Sequence, residues 1–298
     1  MTWTRRRFLT ITAAAVAAPS VTLSDGDAQW SGQAIGARAR MTLSGVSALD
    51  ARPVFAAIET ELDRLERIFS LYRPDSALVR LNRTGRLQAV PSDLREVLRI
   101  CGALHDATGS AFDPTVQPMW EALARHGNAA EARARIGWHR VQREGTGLRL
   151  SEPGMALTLN GVAQGYVTDR IAALLRAQGY RDILVDMGEV AGFGRSPEGG
   201  AWQAGIGKAN GEIVRRVTLK DRALATSSPM GTVLDASGRQ GHILDPRGNG
   251  GPVHDTASVS APSAAVADGL STALCLLSRR EARQAVACFS GARIEFLG

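Results

Sequence analysis

Along the first third of the chain the apolar positions fall into two helical stripes. Val54, Ile58, Leu62, Leu65 and Phe69 recur at three- and four-residue steps, which places them on one face of a helix. Leu94, Val97, Leu98, Cys101 and Leu104 do the same further on, with Ser92 as a candidate N-cap and Gly109 as a stop. Between the stripes, residues 71–84 turn polar, with Pro74, Asp75, Ser76 and Asn82. A strand is expected over residues 34–43. In the middle of the chain Leu148-Arg149-Leu150 and residues 155–159 flank Glu152-Pro153-Gly154 and read as a hairpin. Residues 161–178 read as a helix closed by Gly179, residues 183–187 as a strand, and residues 202–207 and 213–219 as two more strands. A Gly/Pro-rich loop follows at 236–252. Residues 262–277 form the last strong helix, with 279–289 behind it.

Strands and helices mix without strict alternation and without an internal repeat. The pattern therefore predicts an α+β fold, not a doubly wound sheet. The 298 residues, 44% hydrophobic and 21% charged, suit a folded chain with a sizeable core. No apolar run approaches the roughly 20 residues that span a bilayer. Lys and Arg exceed Asp and Glu by 35 to 29, and Arg5, Arg6 and Arg7 supply half of that surplus. With aromatics at only 5%, neither the charge nor the stacking surface of a nucleic-acid binder is present.

Residues 1–30 read as an address. Thr4-Arg5-Arg6-Arg7-Phe8-Leu9-Thr10 is a twin-arginine sequence, the following apolar run is too short to span, and Ala15-Val16-Ala17 forms an A-x-A exit. Such a leader carries folded proteins to the bacterial periplasm, which leaves 31–298 as the expected mature domain. The cysteines, Cys101, Cys275 and Cys288, form no C-x-x-C pair and sit among apolar residues, so all three are expected to be buried small hydrophobes. A bridge between Cys275 and Cys288 is open but has no support in the sequence.

Nucleotide-binding and hydrolase motifs are missing, and the five His make zinc a poor expectation. Four constellations remain. Asp268 and Thr272 lie four apart on the last strong helix and project from one face. A carboxylate with a hydroxyl offers hard oxygen ligation, suited to Mg²⁺. A solvated Asp and a Thr bonded back to its own helix would show the same spacing. However, Ala267, Leu270, Ala273 and Leu274 make this helix apolar nearly all round, and a buried carboxylate needs a partner or a metal. His242, in Gly241-His242-Ile243-Leu244-Asp245-Pro246, could be a general base or a phosphate contact, and an ordinary loop histidine explains it as well. In Asn160-Gly161-Val162-Ala163-Gln164-Gly165-Tyr166, a strand feeds a helix through two glycines. Free N–H groups there could hold phosphate, or the glycines could simply permit close packing. Ala111-Phe112-Asp113-Pro114-Thr115 offers an aromatic face and an acceptor, or merely an Asp-Pro turn.

Taken in order, these segments resemble the ApbE family of FAD:protein FMN transferases. The matching pieces are Tyr72-Arg73-Pro74-Asp75-Ser76 with Leu81-Asn82, then Gly109 to Thr115, Leu159 to Asp169, Val185 to Gly188, Gly241 to Pro246, and Ala267-Asp268-Gly269-Leu270-Ser271-Thr272-Ala273. The resemblance runs from about residue 31 to the C-terminus and implies a mixed, largely antiparallel sheet with packed helices, T-fold-like in architecture. It implies a Mg²⁺-dependent enzyme that takes FAD as substrate, moves FMN onto a Thr or Ser hydroxyl of a partner flavoprotein, and releases AMP. Asp268, Ser271 and Thr272 match metal positions, with the Gly161 carbonyl completing the set. His242 matches the catalytic His. Tyr72, Ala111, Phe112 and Asp113 match FAD-binding positions, and Ile35 and Ile243 match further flavin contacts. Two positions depart from the family pattern: Thr158 stands where an Asp is common, and Gln164 where a Lys or Glu is usual. These departures motivate two alternatives, a FAD-binding protein without turnover and a FAD pyrophosphatase. The twin-arginine leader resembles the NosX branch, which implies an acceptor in nitrous oxide reduction or another electron-transfer system.

Overall fold

The computed structural model describes residues 20–22, 26–207, 212–235 and 238–298. The twin-arginine sequence and the A-x-A exit lie outside the described residues, as do positions 236 and 237 of the Gly/Pro-rich loop. The chain runs β1 (Ser20–Thr22), β2 (Asp27–Ala34), β3 (Ala37–Ser44), α1 (Ala48–Phe69), α2 (Ala77–Thr84), β4 (Arg86–Leu87), α3 (Ser92–Ala107), α4 (Gln117–Ala124), α5 (Ala129–Arg133), β5 (Val141–Glu144), β6 (Gly147–Leu150) and α6 (Ala163–Ala177). It continues through β7 (Ile183–Asp186), β8 (Val190–Phe193), β9 (Trp202–Gly207), β10 (Ile213–Leu219), β11 (Arg222–Ser227), β12 (Ala257–Ala261), α7 (Ala264–Leu274), α8 (Arg279–Ala287) and β13 (Arg293–Leu297).

Eight strands form one sheet in the order β1-β2-β3-β7-β8-β11-β12-β13, and every pairing in it is antiparallel. The α+β expectation is thus met, with no crossover pattern of a doubly wound sheet. Helices α1, α3, α6 and α7 bury their apolar stripes in one large core with the sheet. The β9–β10 hairpin closes over a second cluster of Trp202, Ile206, Val217, Leu219 and Leu224. A small sheet in the order β4-β6-β5 stands apart. No helix among the described residues is long and apolar enough to cross a membrane.

The structure departs from the sequence pattern at identifiable places. The strand expected over 34–43 is a hairpin, because Ile35 and Gly36 both take positive φ (47° and 78°) and turn the chain between β2 and β3. For a β-branched residue this backbone is strained, and the Ile35 N–H is held by the Glu66 carboxylate at 3.1 Å. β2 begins at Asp27, so the sheet takes in residues ahead of position 31, and Trp30 is 2% exposed with its indole donating to Glu59 at 2.9 Å. The polar stretch 71–84 contains α2, capped by Ser76, whose Oγ accepts from the Val79 N–H at 3.0 Å. α3 begins at Ser92, and Pro91, not Ser92, takes the N-cap position.

The hairpin expected through Glu152-Pro153-Gly154 does not form. β6 pairs instead with β5 and β4. Met155, Leu157 and Leu159 do alternate inward, which is why they read as a strand. The middle residue pairs with a side chain and not with a strand, however: Asn82 Nδ2 donates to the Leu157 carbonyl and Asn82 Oδ1 accepts from its N–H, each at 2.8 Å. Among the cysteines, Cys101 and Cys275 are buried as expected, Cys288 is exposed, and all three are free thiols.

Candidate functional site

The site is built where α6 and α7 meet. The N-terminus of α7 leaves N–H groups without helical partners, and Asp169 of α6 takes them. Its carboxylate accepts from Ala264 N at 2.7 Å, Ala265 N at 3.1 Å and Ser263 Oγ at 2.7 Å. One turn earlier on α6, Gly165 lies so close to α7 that a Cβ there would overlap the Ala264 carbonyl. Its N–H, free in the first turn of α6, donates to Asp268 Oδ2 at 3.0 Å.

Asp268 is 3% exposed, and burial pushes its carboxyl up to about 7. It forms no ion pair among the described residues. One turn on stands Thr272. Its Oγ1 lies 3.0 Å from where a Cβ on Gly161 would sit, and the Phe112 ring edge lies 3.4 Å from the same point. The Gly161 turn, Phe112 and Thr272 are therefore gathered around one point, with Asp268 one turn back on α7 and tied to α6 through Gly165. Ser271 is fully buried, with its Oγ donating to the Asp268 backbone carbonyl at 2.9 Å. Ser227, the last residue of β11, reaches Ser271 Oγ at 2.8 Å and Thr272 Oγ1 at 3.4 Å.

A second buried carboxyl, Glu189, stands beyond Asp268 on the β7–β8 turn. Burial, then the negative charges of Asp268 and Asp186, hold it well above the usual carboxylate range, and a hydrogen bond from the Thr226 N–H partly offsets this. Gln164 packs against that turn, with its side-chain amide carbon 2.8 Å from where a Cβ on Gly188 would sit. A cavity of about 330 Å³ opens here, lined by Asp186, Gly188, Glu189, Thr226 and residues of β9. A larger cavity, about 430 Å³, lies between Arg64, Asp93, Tyr166 and Arg170. It contains none of the candidate residues, and its charges pair with one another.

His242 follows on the loop after β11. Its backbone N–H and Nδ1 both face the carbonyls of Pro229 and Thr232, Nδ1 at 3.0 and 3.2 Å. Carbonyl oxygens only accept, so Nδ1 carries the proton and Nε2 keeps its lone pair. Burial lowers the imidazole below the ordinary histidine value, so the ring is neutral near pH 7. Pro229 lies two residues beyond Ser227, which ties His242 to the strand end that touches α7. Ile243 is buried in the main core.

The remaining candidates lie at two other places. Asp113 caps a short 3₁₀ turn, its Oδ1 accepting from Thr115 N at 2.8 Å and Thr115 Oγ1 at 2.6 Å, so the Asp-Pro turn is real. Ala111 is buried beside it, and Thr158 joins this segment through its N–H to the Pro114 carbonyl at 2.8 Å. Tyr72 is 62% exposed, and the neighbouring Arg73 faces Glu66 at 4.0 Å, the same carboxylate that holds Ile35. Ile35 and the Tyr72 segment thus share one edge around Glu66.

Three residues at the cluster were not singled out by the sequence: Ser227, Glu189 and Asp169. Asp169 ends the segment Leu159 to Asp169, but nothing local marks it as the cap of a helix that starts 95 residues later. No group of three or more His, Cys, Asp or Glu that could hold a metal occurs among the described residues. The donors here are one carboxylate, hydroxyls and backbone oxygen. That set, around a buried carboxylate with no cationic partner, suits a hard cation.

The fold is that of solved flavin transferases. The flavin transferase ApbE from Vibrio cholerae superposes with a TM-score of 0.77 at 24% identity over 92% of this chain and 93% of its own. The ApbE protein from Thermotoga maritima gives 0.77 at 23% identity, covering 93% of each chain. The chain belongs to the ApbE family, whose family model matches residues 35–294. In sequence it is similar to proteins named FAD:protein FMN transferase. That of Salmonella typhimurium strain LT2 is 28% identical over 294 residues, 90% of this chain and 84% of the relative. That of Treponema pallidum is 28% identical over 275 residues, 79% of this chain and 76% of the relative.

Proposed function

We propose that this chain is a Mg²⁺-dependent FAD:protein FMN transferase, exported to the periplasm by the twin-arginine route. The observation that carries this reading is the buried Asp268 carboxylate, without a cationic partner among the described residues, beside the Thr272 hydroxyl and the Gly161 turn. Asp268, Thr272 and the Gly161 carbonyl would hold Mg²⁺, which when bound supplies charge neutralisation on a diphosphate. Gly165 orients the Asp268 carboxylate through its N–H, and Phe112 closes the apolar side of the same point. Ala111, Asp113, Thr158, Gln164, Ile35, Tyr72 and Ile243 are assigned to holding FAD.

His242 has the properties of a general base, a neutral ring with Nε2 free to accept a proton. It takes the proton from a Thr or Ser hydroxyl of the acceptor flavoprotein. The hydroxyl oxygen forms a bond to the FMN-side phosphorus, the bridging P–O bond breaks, and AMP leaves. The product is FMN held to the acceptor by a phosphoester.

The test is incubation of the protein with FAD, Mg²⁺ and a Thr-containing fragment of a candidate flavoprotein. Covalent flavin on the fragment is the expected result. Free FMN and AMP with no labelled fragment would make the chain a pyrophosphatase. Unchanged FAD would leave it a binding protein.

A further inference from the structure

Three hydroxyls meet at the α7 face, and their hydrogen bonds can be ordered. Ser271 Oγ donates to the Asp268 backbone carbonyl, which can only accept. Its proton is thereby committed, so in the 2.8 Å contact with Ser227 it is Ser227 that donates. The proton of Ser227 is then also committed. In the 3.4 Å contact between Ser227 and Thr272 the remaining proton is that of Thr272. The order is Thr272 to Ser227 to Ser271 to the Asp268 carbonyl. It turns the Thr272 lone pairs away from β11, and Gly161 packs against the same hydroxyl. It also makes Ser271, fully buried within the junction, the end of the hydrogen-bond chain, with its proton given to the Asp268 carbonyl and one lone pair taken by Ser227.

We infer that Ser227 is a positioning residue for the cation site, fixing the Thr272 hydroxyl with its lone pairs toward the cation, and that Ser271 anchors this relay. This rests on the reading of Asp268 and Thr272 as cation ligands. A hydroxyl free to rotate would present its proton to a cation part of the time, and second-layer hydrogen bonds of this type tune metal affinity.

The experiment is a titration of the full chain with Mn²⁺ in the presence of FAD, with free Mn²⁺ read by electron paramagnetic resonance and melting temperature recorded for every variant. Ser227→Ala should weaken Mn²⁺ binding by roughly 10-fold or more, and Ser227→Thr should restore most of it. Thr272→Val should weaken it further. The decisive arm is the cycle: adding Ser227→Ala to Thr272→Val should bring no additional loss, because Ser227 acts through Thr272. Equal Mn²⁺ affinity in wild type and Ser227→Ala would overturn the inference while leaving the cation site standing. Additive losses in the cycle would also overturn it. A wild-type chain that binds no Mn²⁺ would remove both the inference and the reading beneath it. If Ser227→Ala melts early, Ser227→Thr and the cycle, compared at a temperature where all variants are folded, still decide the outcome.

Discussion

Gly165 and Asp268, 103 residues apart, are joined by a 3.0 Å hydrogen bond from the N–H of one helix to the carboxylate of another. The bond is short enough to form only because Gly165 has no side chain, since a Cβ would overlap the Ala264 carbonyl. Gly165→Ala should therefore force α6 and α7 apart. Overpacking of this type costs about 1–3 kcal/mol, measurable as a lower urea midpoint. The same variant should lose cation-dependent FAD turnover disproportionately, because the carboxylate moves with α7.

Asp268→Ala should abolish turnover, measured as covalent flavin formed per enzyme at saturating FAD and Mg²⁺. Chelation by EDTA should do the same to wild type, reversibly on adding Mg²⁺. Full activity in Asp268→Ala would contradict the cation assignment.

His242 leads to a pH prediction. Burial lowers its pKa below the ordinary 6.5, so the folded chain binds fewer protons at this ring than the unfolded chain does. Stability linked to this ring therefore rises with pH between the lowered folded value and 6.5, and is reduced below that window. The acid limb of kcat/KM should accordingly fall below pH 6.5. His242→Ala should retain FAD while slowing transfer, by roughly 10²- to 10⁴-fold for a lost general base. An undiminished transfer rate in that variant would take His242 out of the mechanism.

Asp169 is nearly buried, and burial raises its carboxyl although three donors partly offset the cost. Asp169→Ala leaves the N-cap Ser263 in place but strips the acceptor from the Ala264 and Ala265 N–H groups, and should cost about 1–3 kcal/mol by urea unfolding. Asp169→Asn, which keeps an acceptor, should cost less.

Asn82 satisfies both backbone groups of Leu157. Asn82→Ala should lower stability by about 1–3 kcal/mol for the partners left unpaired. Asn82→Asp sets a carboxylate oxygen against the Leu157 carbonyl, acceptor facing acceptor, and should cost at least as much as Ala in the same measurement at neutral pH.

Long amphipathic elements were legible in the sequence because one face alone carries the apolar residues. α1 and α3 follow their stripes, and β9 and β10 occupy the span expected of them. The strands β11 and β12 carry no such signal. Ala223, Leu224 and Ala225, and every residue of Ala257–Ala261, are buried, so small residues on both faces erase the alternation. α2 escaped because its stripe is only Ala77, Leu78 and Leu81. At the site, Asp268 and Thr272 stood out as polar residues one turn apart on an apolar helix. Ser227 could not, since its partners are 44 and 45 positions away and exist only after the sheet is laid down.

If the junction of α6 and α7 holds a cation as proposed, it also sets when that cation can first be captured. A nascent chain that has reached β12 already contains Gly161, Gly165 and Ser227 but neither Asp268 nor Thr272. On the proposed reading, ion capture therefore waits until α7 has docked and cannot template the steps before it. Oxygen donors of this type discriminate between hard cations partly by supply, so on that reading the ion content of the place where α7 docks would bias which one is captured.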